Sequence, residues 1–131
     1  MLVVDASALV MVLLHEDGWE RVFDLLAAEE PIAPDLLVAE AANALWRRVR
    51  AGGRTADEAR ALMADAMAPI TRLVPTAPLR ERALDLALRR DHPAYDCFYV
   101  ALAMREAIPL LTADRRIGER FAGDANILVL S

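Results

Sequence analysis

Residues 1–14, Met1-Leu2-Val3-Val4-Asp5-Ala6-Ser7-Ala8-Leu9-Val10-Met11-Val12-Leu13-Leu14, decide the fold. Leu2-Val3-Val4 is a short, β-branched apolar run, as expected of a strand covered on both faces. Ser7 opens an apolar helical stretch to Leu14, and one carboxylate, Asp5, stands at the junction. The same strand-then-helix pattern repeats along the chain. Residues 19–28 read as a helix with Trp19, Val22, Phe23 and Leu26 on one face. Pro31-Ile32-Ala33 is a strand, and residues 36–50 are a helix stopped by Gly52-Gly53. Thr55 and Glu58 form a capping-box pattern for a helix running to about Met67. Residues 70–74 are a strand, and 79–90 and 94–107 are helices, with Pro93 suited to the first turn of the second. Leu110-Leu111-Thr112 is a strand, 115–121 a short helix and 127–130 a closing strand. Alternating short strands and helices build βαβ units, hence a parallel α/β sheet with helices on both faces. Ligands of such sheets bind outside the carboxyl ends of the strands.

The chain has 131 residues and a hydrophobic content of 56%, which fits a single domain over 1–131 with a sizeable core. All 15 basic residues are arginine. The absence of lysine excludes a Walker A loop and Schiff-base chemistry. A net charge of −5 argues against a general nucleic-acid coat, though not against an enzyme that holds nucleic acid through metal ions and local arginines. Cys97 is the one cysteine, so no intrachain disulfide can form and a reducing compartment is expected. The apolar start lacks a basic lead and is broken at Asp5, so the expectation is a cytoplasmic protein without a membrane span.

Four acids stand at or just past the junctions where this architecture places its sites. Asp5 ends the first strand, Asp114 follows the Thr112 strand, Asp96 lies in the first turn of the helix after Pro93, and Glu40 lies one turn inside the helix after Pro31-Ile32-Ala33. Asp5, Glu40 and Asp96 are embedded in apolar sequence. Asp96 and Asp114 also suit helix starts, where a carboxylate gains ~0.3–1 kcal/mol, whereas Asp5 and Glu40 carry no cap signal. Were the four to converge within ~5–6 Å, each pair would repel by about 3 kcal/mol at an effective dielectric of about 20. A cluster of that kind needs protons or cations. Its all-oxygen donors select Mg²⁺ or Mn²⁺, ions that activate water and neutralise a phosphodiester. Ser7, Asn43 and Thr112 lie two or three residues from these acids and could orient them; Ser7 equally suits the N-cap of the first helix.

Four blocks resemble the PIN-domain ribonucleases, most closely the VapC-type toxins of toxin–antitoxin pairs. They are residues 1–9 (MLVVDASAL), 39–45 (AEAANAL), 94–103 (AYDCFYVALA) and 111–116 (LTADRR). The resemblance covers nearly the whole chain. It implies a three-layer α/β/α sandwich with a mostly parallel sheet of about five strands. It further implies Mg²⁺- or Mn²⁺-dependent endoribonuclease activity on RNA, homodimerisation and inhibition by a small antitoxin. Asp5, Glu40, Asp96 and Asp114 fall on the family's acidic quartet, and Ser7, Asn43 and Thr112 on supporting positions. The Pro93-Ala94 lead-in to Asp96 departs from the family, where a hydroxyl residue is commoner.

Other residues have plainer readings. His15 lies at the far end of its helix from Asp5, which disfavours a two-histidine ribonuclease, and His92 reads as a loop or cap residue. Cys97 has no activating histidine and reads as core. Trp19, Trp46, Phe98 and Tyr99 read as core or subunit-interface residues, with base stacking open to Trp46. Arg115 and Arg116 beside Asp114 are candidate RNA phosphate contacts, while Arg48 and Arg50 read as a solvated helix face, with Arg47 beside them. Two other functions share parts of the pattern. A phosphatase of the haloacid dehalogenase type also begins strand-then-Asp, but needs a second Asp where Ser7 stands. A non-catalytic PIN-like binding module would not need four intact acids.

Overall fold

The computed structural model describes residues 1–130. Its elements run β1 (Leu2–Val4), α1 (Ala6–Leu13), α2 (Trp19–Ala28), β2 (Pro31–Pro34), α3 (Leu36–Arg50), α4 (Ala56–Ala64), β3 (Arg72–Val74), α5 (Arg80–Arg90), α6 (Ala94–Glu106), β4 (Leu110–Thr112), α7 (Arg115–Arg120) and β5 (Ile127–Val129). The strands form one sheet in the order β3-β2-β1-β4-β5, and every pairing is parallel. Right-handed crossovers place α1–α4 on one face and α5–α7 on the other. Accordingly α1 packs on α2 and α3, and α5 on α6. The result is the expected three-layer α/β/α sandwich.

β1 is central. It pairs Val3 with Ile32 of β2 and Val4 with Leu111 of β4. Val3, Val4, Leu110 and Leu111 have no exposed surface, which is why these strands read as unbroken apolar runs rather than alternating ones. The sheet switches direction between β1 and β4, and the crevice beyond their carboxyl ends is where side chains from both helical layers meet.

Boundaries follow local chemistry. α3 ends at Arg50, and Gly52 takes the left-handed conformation (φ 85°) that lets its N–H reach Val49. α4 starts where the Thr55 hydroxyl accepts the Glu58 N–H at 3.1 Å. It stops at Ala64, three residues short of the expected end, and continues as single turns. A 3-10 turn at Ala77–Leu79 precedes α5. α5 ends with Asp91 in the left-handed region (φ 51°), and the His92 N–H closes back on the Ala87 carbonyl at 3.2 Å.

Candidate active site

Asp5 follows β1 and is 3% exposed. Its N–H bonds the Leu111 carbonyl at 3.1 Å, so the chain leaves β1 still attached to β4. The side chain then caps α1: Oδ1 accepts the Ala8 N–H at 3.0 Å. Asp5, not Ser7, is therefore the N-cap, a role its apolar neighbours gave no reason to expect. The Ser7 hydroxyl instead turns back to donate to Asp5 Oδ1 at 2.7 Å. The fully buried Thr112 hydroxyl donates to Asp5 Oδ2 at 2.5 Å. Each hydroxyl carries one proton and both protons go to Asp5. The 3.1 Å separation of the Ser7 and Thr112 oxygens is thus a contact between acceptors. Those oxygens in turn accept the Ala113 N–H (2.9 Å) and the Asp114 N–H (3.0 Å). One carboxylate, two hydroxyls and the start of the next βα turn form a closed network.

Glu40 projects from α3, and the Tyr99 phenol of α6 donates to its Oε1 at 2.5 Å. Asp96, in the first turn of α6, accepts on Oδ2 from His92 Nε2 at 2.7 Å. Asp114 is the N-cap of α7, as its position allowed. It is bound on both oxygens by Arg116: Oδ1 accepts the Arg116 N–H and Nε–H (2.9 and 3.2 Å), and Oδ2 accepts Nη2 at 3.0 Å.

All four acids line one cavity of about 890 Å³, together with Ser7 and Asn43. Thr112 lies behind the wall, acting through Asp5. Arg47 is the basic residue of the lining, seven positions after Glu40 on the same face of α3. Arg115 and Arg116 are exposed just outside it.

Burial dominates the electrostatics of Asp5 and Glu40, and the charge of Asp96 adds to it. Burial pushes the Asp5 carboxyl up to about 6; the bonds from Thr112, Ala8 and Ser7 oppose this and the charge of Asp96 adds to it. Glu40 is raised chiefly by burial and also by Asp96, against the pull of Tyr99 and Arg47. Asp114 is lowered, first by its hydrogen bond from Arg116. Cys97, on the buried face of α6, is pushed up to about 11 by burial, which fits an inert core thiol.

The donor set fits a hard divalent cation. Glu40 Oε2 and Asp96 Oδ1 accept no protein hydrogen bond among the described residues, and the three bonds to Asp5 leave one of its acceptor sites unused. Asp114 likewise keeps one acceptor site, on Oδ2, beside its three bonds from Arg116. As the side chains stand, no three His, Cys, Asp or Glu residues among those described close around a single point. The acids share a cavity rather than a preformed cage, which suits an ion that keeps part of its water shell, as Mg²⁺ does.

Three site residues have plain readings in the sequence. Tyr99 looks like core, yet its hydroxyl is spent on Glu40; its position three residues after Asp96, on one face of α6, is the available signal. His92 looks like a loop residue, yet its side chain is 6% exposed and touches Asp96. Arg47 differs from Arg48 and Arg50 by lining the cavity, at whose open side it stays exposed. Trp46, by contrast, is 54% exposed, with Arg50 over its ring, and is not core.

Comparison with known proteins agrees with this geometry. The PIN domain pattern matches residues 2–122. Ribonuclease VapC9 of Mycobacterium tuberculosis is 39% identical over 133 aligned positions, covering 99% of this chain and 98% of that protein. Ribonuclease VapC3 of Pyrobaculum aerophilum is 34% identical, covering 92% and 94%. Among solved structures, PAE2754 of P. aerophilum superposes with a TM-score of 0.70 at 30% identity, over 96% of this chain and 89% of that one. VapBC2 of Rickettsia felis, bound to a promoter DNA fragment, does so at 0.73 and 12% identity, over 99% and 98%, which speaks for the fold alone. With a match across almost its whole length and relatives above 30% identity, the chain belongs to the PIN domain family.

Proposed function

We propose that this chain is a Mg²⁺- or Mn²⁺-dependent endoribonuclease and the toxin of a toxin–antitoxin pair. The observation that carries this reading is the single cavity lined by Asp5, Glu40, Asp96 and Asp114, each of which keeps acceptor capacity that no protein donor among the described residues uses. Relatives named VapC ribonucleases over nearly the full length support the same activity. Asp5, Glu40 and Asp96 would hold the ion, with Asp114 completing the set. When bound, such an ion lowers the pKa of water and offsets phosphodiester charge.

The chain's own residues do the rest. Ser7, Thr112 and the Ala8 N–H fix the Asp5 carboxylate so that it cannot rotate away. Tyr99 fixes Glu40 in the same way. Asn43 offers a neutral donor and acceptor beside Glu40. Arg47 places a positive charge within the cavity for the scissile or adjacent phosphate, and Arg115 and Arg116 contact phosphates flanking it. In-line attack by water then leaves a 5′-phosphate and a 3′-hydroxyl. Association with a small antitoxin and with a second copy of the chain belongs to the same reading. Exposed Leu84, Leu88 and Tyr95 on α5 and α6 provide apolar surface for such contacts.

The test is to map RNA ends in cells expressing the chain, against Asp5→Asn. New 5′-phosphate ends at defined positions, absent with Asp5→Asn, are expected. Cuts ending in 5′-hydroxyls, or cuts that persist in Asp5→Asn, would contradict the reading.

A further inference from the structure

We propose that His92 is the positioning residue of Asp96: its Nε2–H fixes the rotamer of that carboxylate and leaves the other oxygen, Oδ1, for a divalent cation. The inference rests on the reading of the cavity as a metal centre. A carboxylate only accepts, so Nε2 carries the proton in the 2.7 Å bond to Asp96 Oδ2.

The ring is held from the α5–α6 turn and from the end of α7. The left-handed turn at Asp91 and the bond from the His92 N–H to Ala87 set its backbone. Arg120 of α7 donates to the carbonyls of Arg90 (2.6 Å) and Asp91 (3.1 Å), clamping the same turn. Arg90 is bound through two nitrogens to the nearly buried Asp124, at 2.9 and 3.0 Å. Phe121, just past α7, meets the ring edge-on, with centroids 5.1 Å apart and planes at 83°. The α5–α6 turn is therefore locked to the end of α7, and among the described residues the one side chain hydrogen-bonded to the His92 ring is Asp96.

Solvation does not require this bond. The Asp96 side chain is 30% exposed, so water could serve its Oδ2. What a buried, immobilised imidazole supplies and water does not is orientation, the role that outer partners play for metal-ligating groups.

The experiment compares Mn²⁺ binding by the full chain, read by electron paramagnetic resonance, in wild type, His92→Leu and His92→Gln. The Gln amide can donate to Asp96 and Leu cannot. We expect His92→Leu to weaken Mn²⁺ binding ~10- to 100-fold, with His92→Gln recovering most of the loss. The chelator-treated variants should unfold at similar denaturant concentrations. If His92→Leu does not fold, His92→Asn, whose side chain is too short to reach Asp96, takes its place with the same expected loss. Wild-type affinity in the Leu or Asn variant, or an equal loss in His92→Gln, would overturn the assignment. Absence of Mn²⁺ binding in the wild type would instead overturn the metal-centre reading on which it stands.

Discussion

Tyr99 and Glu40, 59 residues apart, meet through a 2.5 Å hydrogen bond that joins the two helical layers across the open end of the sheet. Tyr99 is buried in α6 and Glu40 belongs to α3. The bond favours the charged carboxylate, against the burial and the Asp96 charge that raise its pKa. The phenol, under the influence of burial and its acidic neighbours, is held far above its ordinary range and remains a donor.

Tyr99→Phe should therefore raise the Glu40 pKa further and free its carboxylate to rotate. Mn²⁺ binding is expected to fall ~10-fold and to need a higher pH for saturation, at a stability cost of about 1 kcal/mol. Metal titration at several pH values, with urea unfolding alongside, checks both. Unchanged metal binding would mean that Glu40 is not a ligand.

Thr112→Val keeps the shape of a fully buried side chain and removes one donor and one acceptor. It takes the proton from Asp5 Oδ2 and leaves the Asp114 N–H without its partner. The expected loss is about 1–3 kcal/mol, with the Asp5 pKa moving further up because a bond that lowers it is gone. Urea unfolding measures the first, and the pH dependence of stability the second.

Asp5→Asn separates stability from activity. The folded Asp5 pKa, about 6 against an ordinary 3.8, means the folded state binds its proton more tightly than the unfolded one. Wild-type stability in chelator should consequently fall as the pH rises from about 4 through about 6, by about 3 kcal/mol in total from this residue. Asp5→Asn should lack that decline and be the more stable protein near neutral pH, while losing RNA cleavage. Asp114 acts in the opposite direction: its pKa is lowered by Arg116, so its contribution is present above about pH 4 and is lost on acidification. An Asp5→Asn protein less stable than wild type in chelator at neutral pH would contradict the burial argument.

Arg47→Gln tests the positive charge in the cavity. Its removal should raise KM for RNA more than it lowers kcat, and should reduce the salt dependence of binding by about one phosphate contact. The Glu40 pKa should rise, because Arg47 is one of the groups lowering it. An unchanged KM and salt slope would assign phosphate contact to Arg115 and Arg116 alone.

The layered fold is legible in the sequence because its strands are short, apolar and bounded by clear helix starts and stops. Leu2–Val4 and Leu110–Thr112 read as buried strands, and Leu36–Arg50 ends where Gly52 permits a left-handed turn. The acids are legible for a related reason, since carboxylates stand out at the junctions of apolar strands and helices, although Asp5 and Asp114 also serve as N-caps. Their partners are not. Tyr99 carries its function on one atom of an otherwise core side chain, and His92 acquires its own from a turn shaped by Arg120 and Phe121, about thirty residues downstream. The capping role of Asp5 is similarly hidden, because Ser7 is the commoner-looking cap and the competition is settled by the Thr112 hydroxyl arriving from β4.

The most direct test of the central claim is RNA hydrolysis by the purified chain as Mn²⁺ is added back from a chelated start. Carboxylates gathered in one cavity with unused acceptor sites predict no hydrolysis in chelator, recovery with Mn²⁺ in the wild type, and none at any Mn²⁺ concentration in Asp5→Asn. Undiminished hydrolysis in excess chelator would contradict the account.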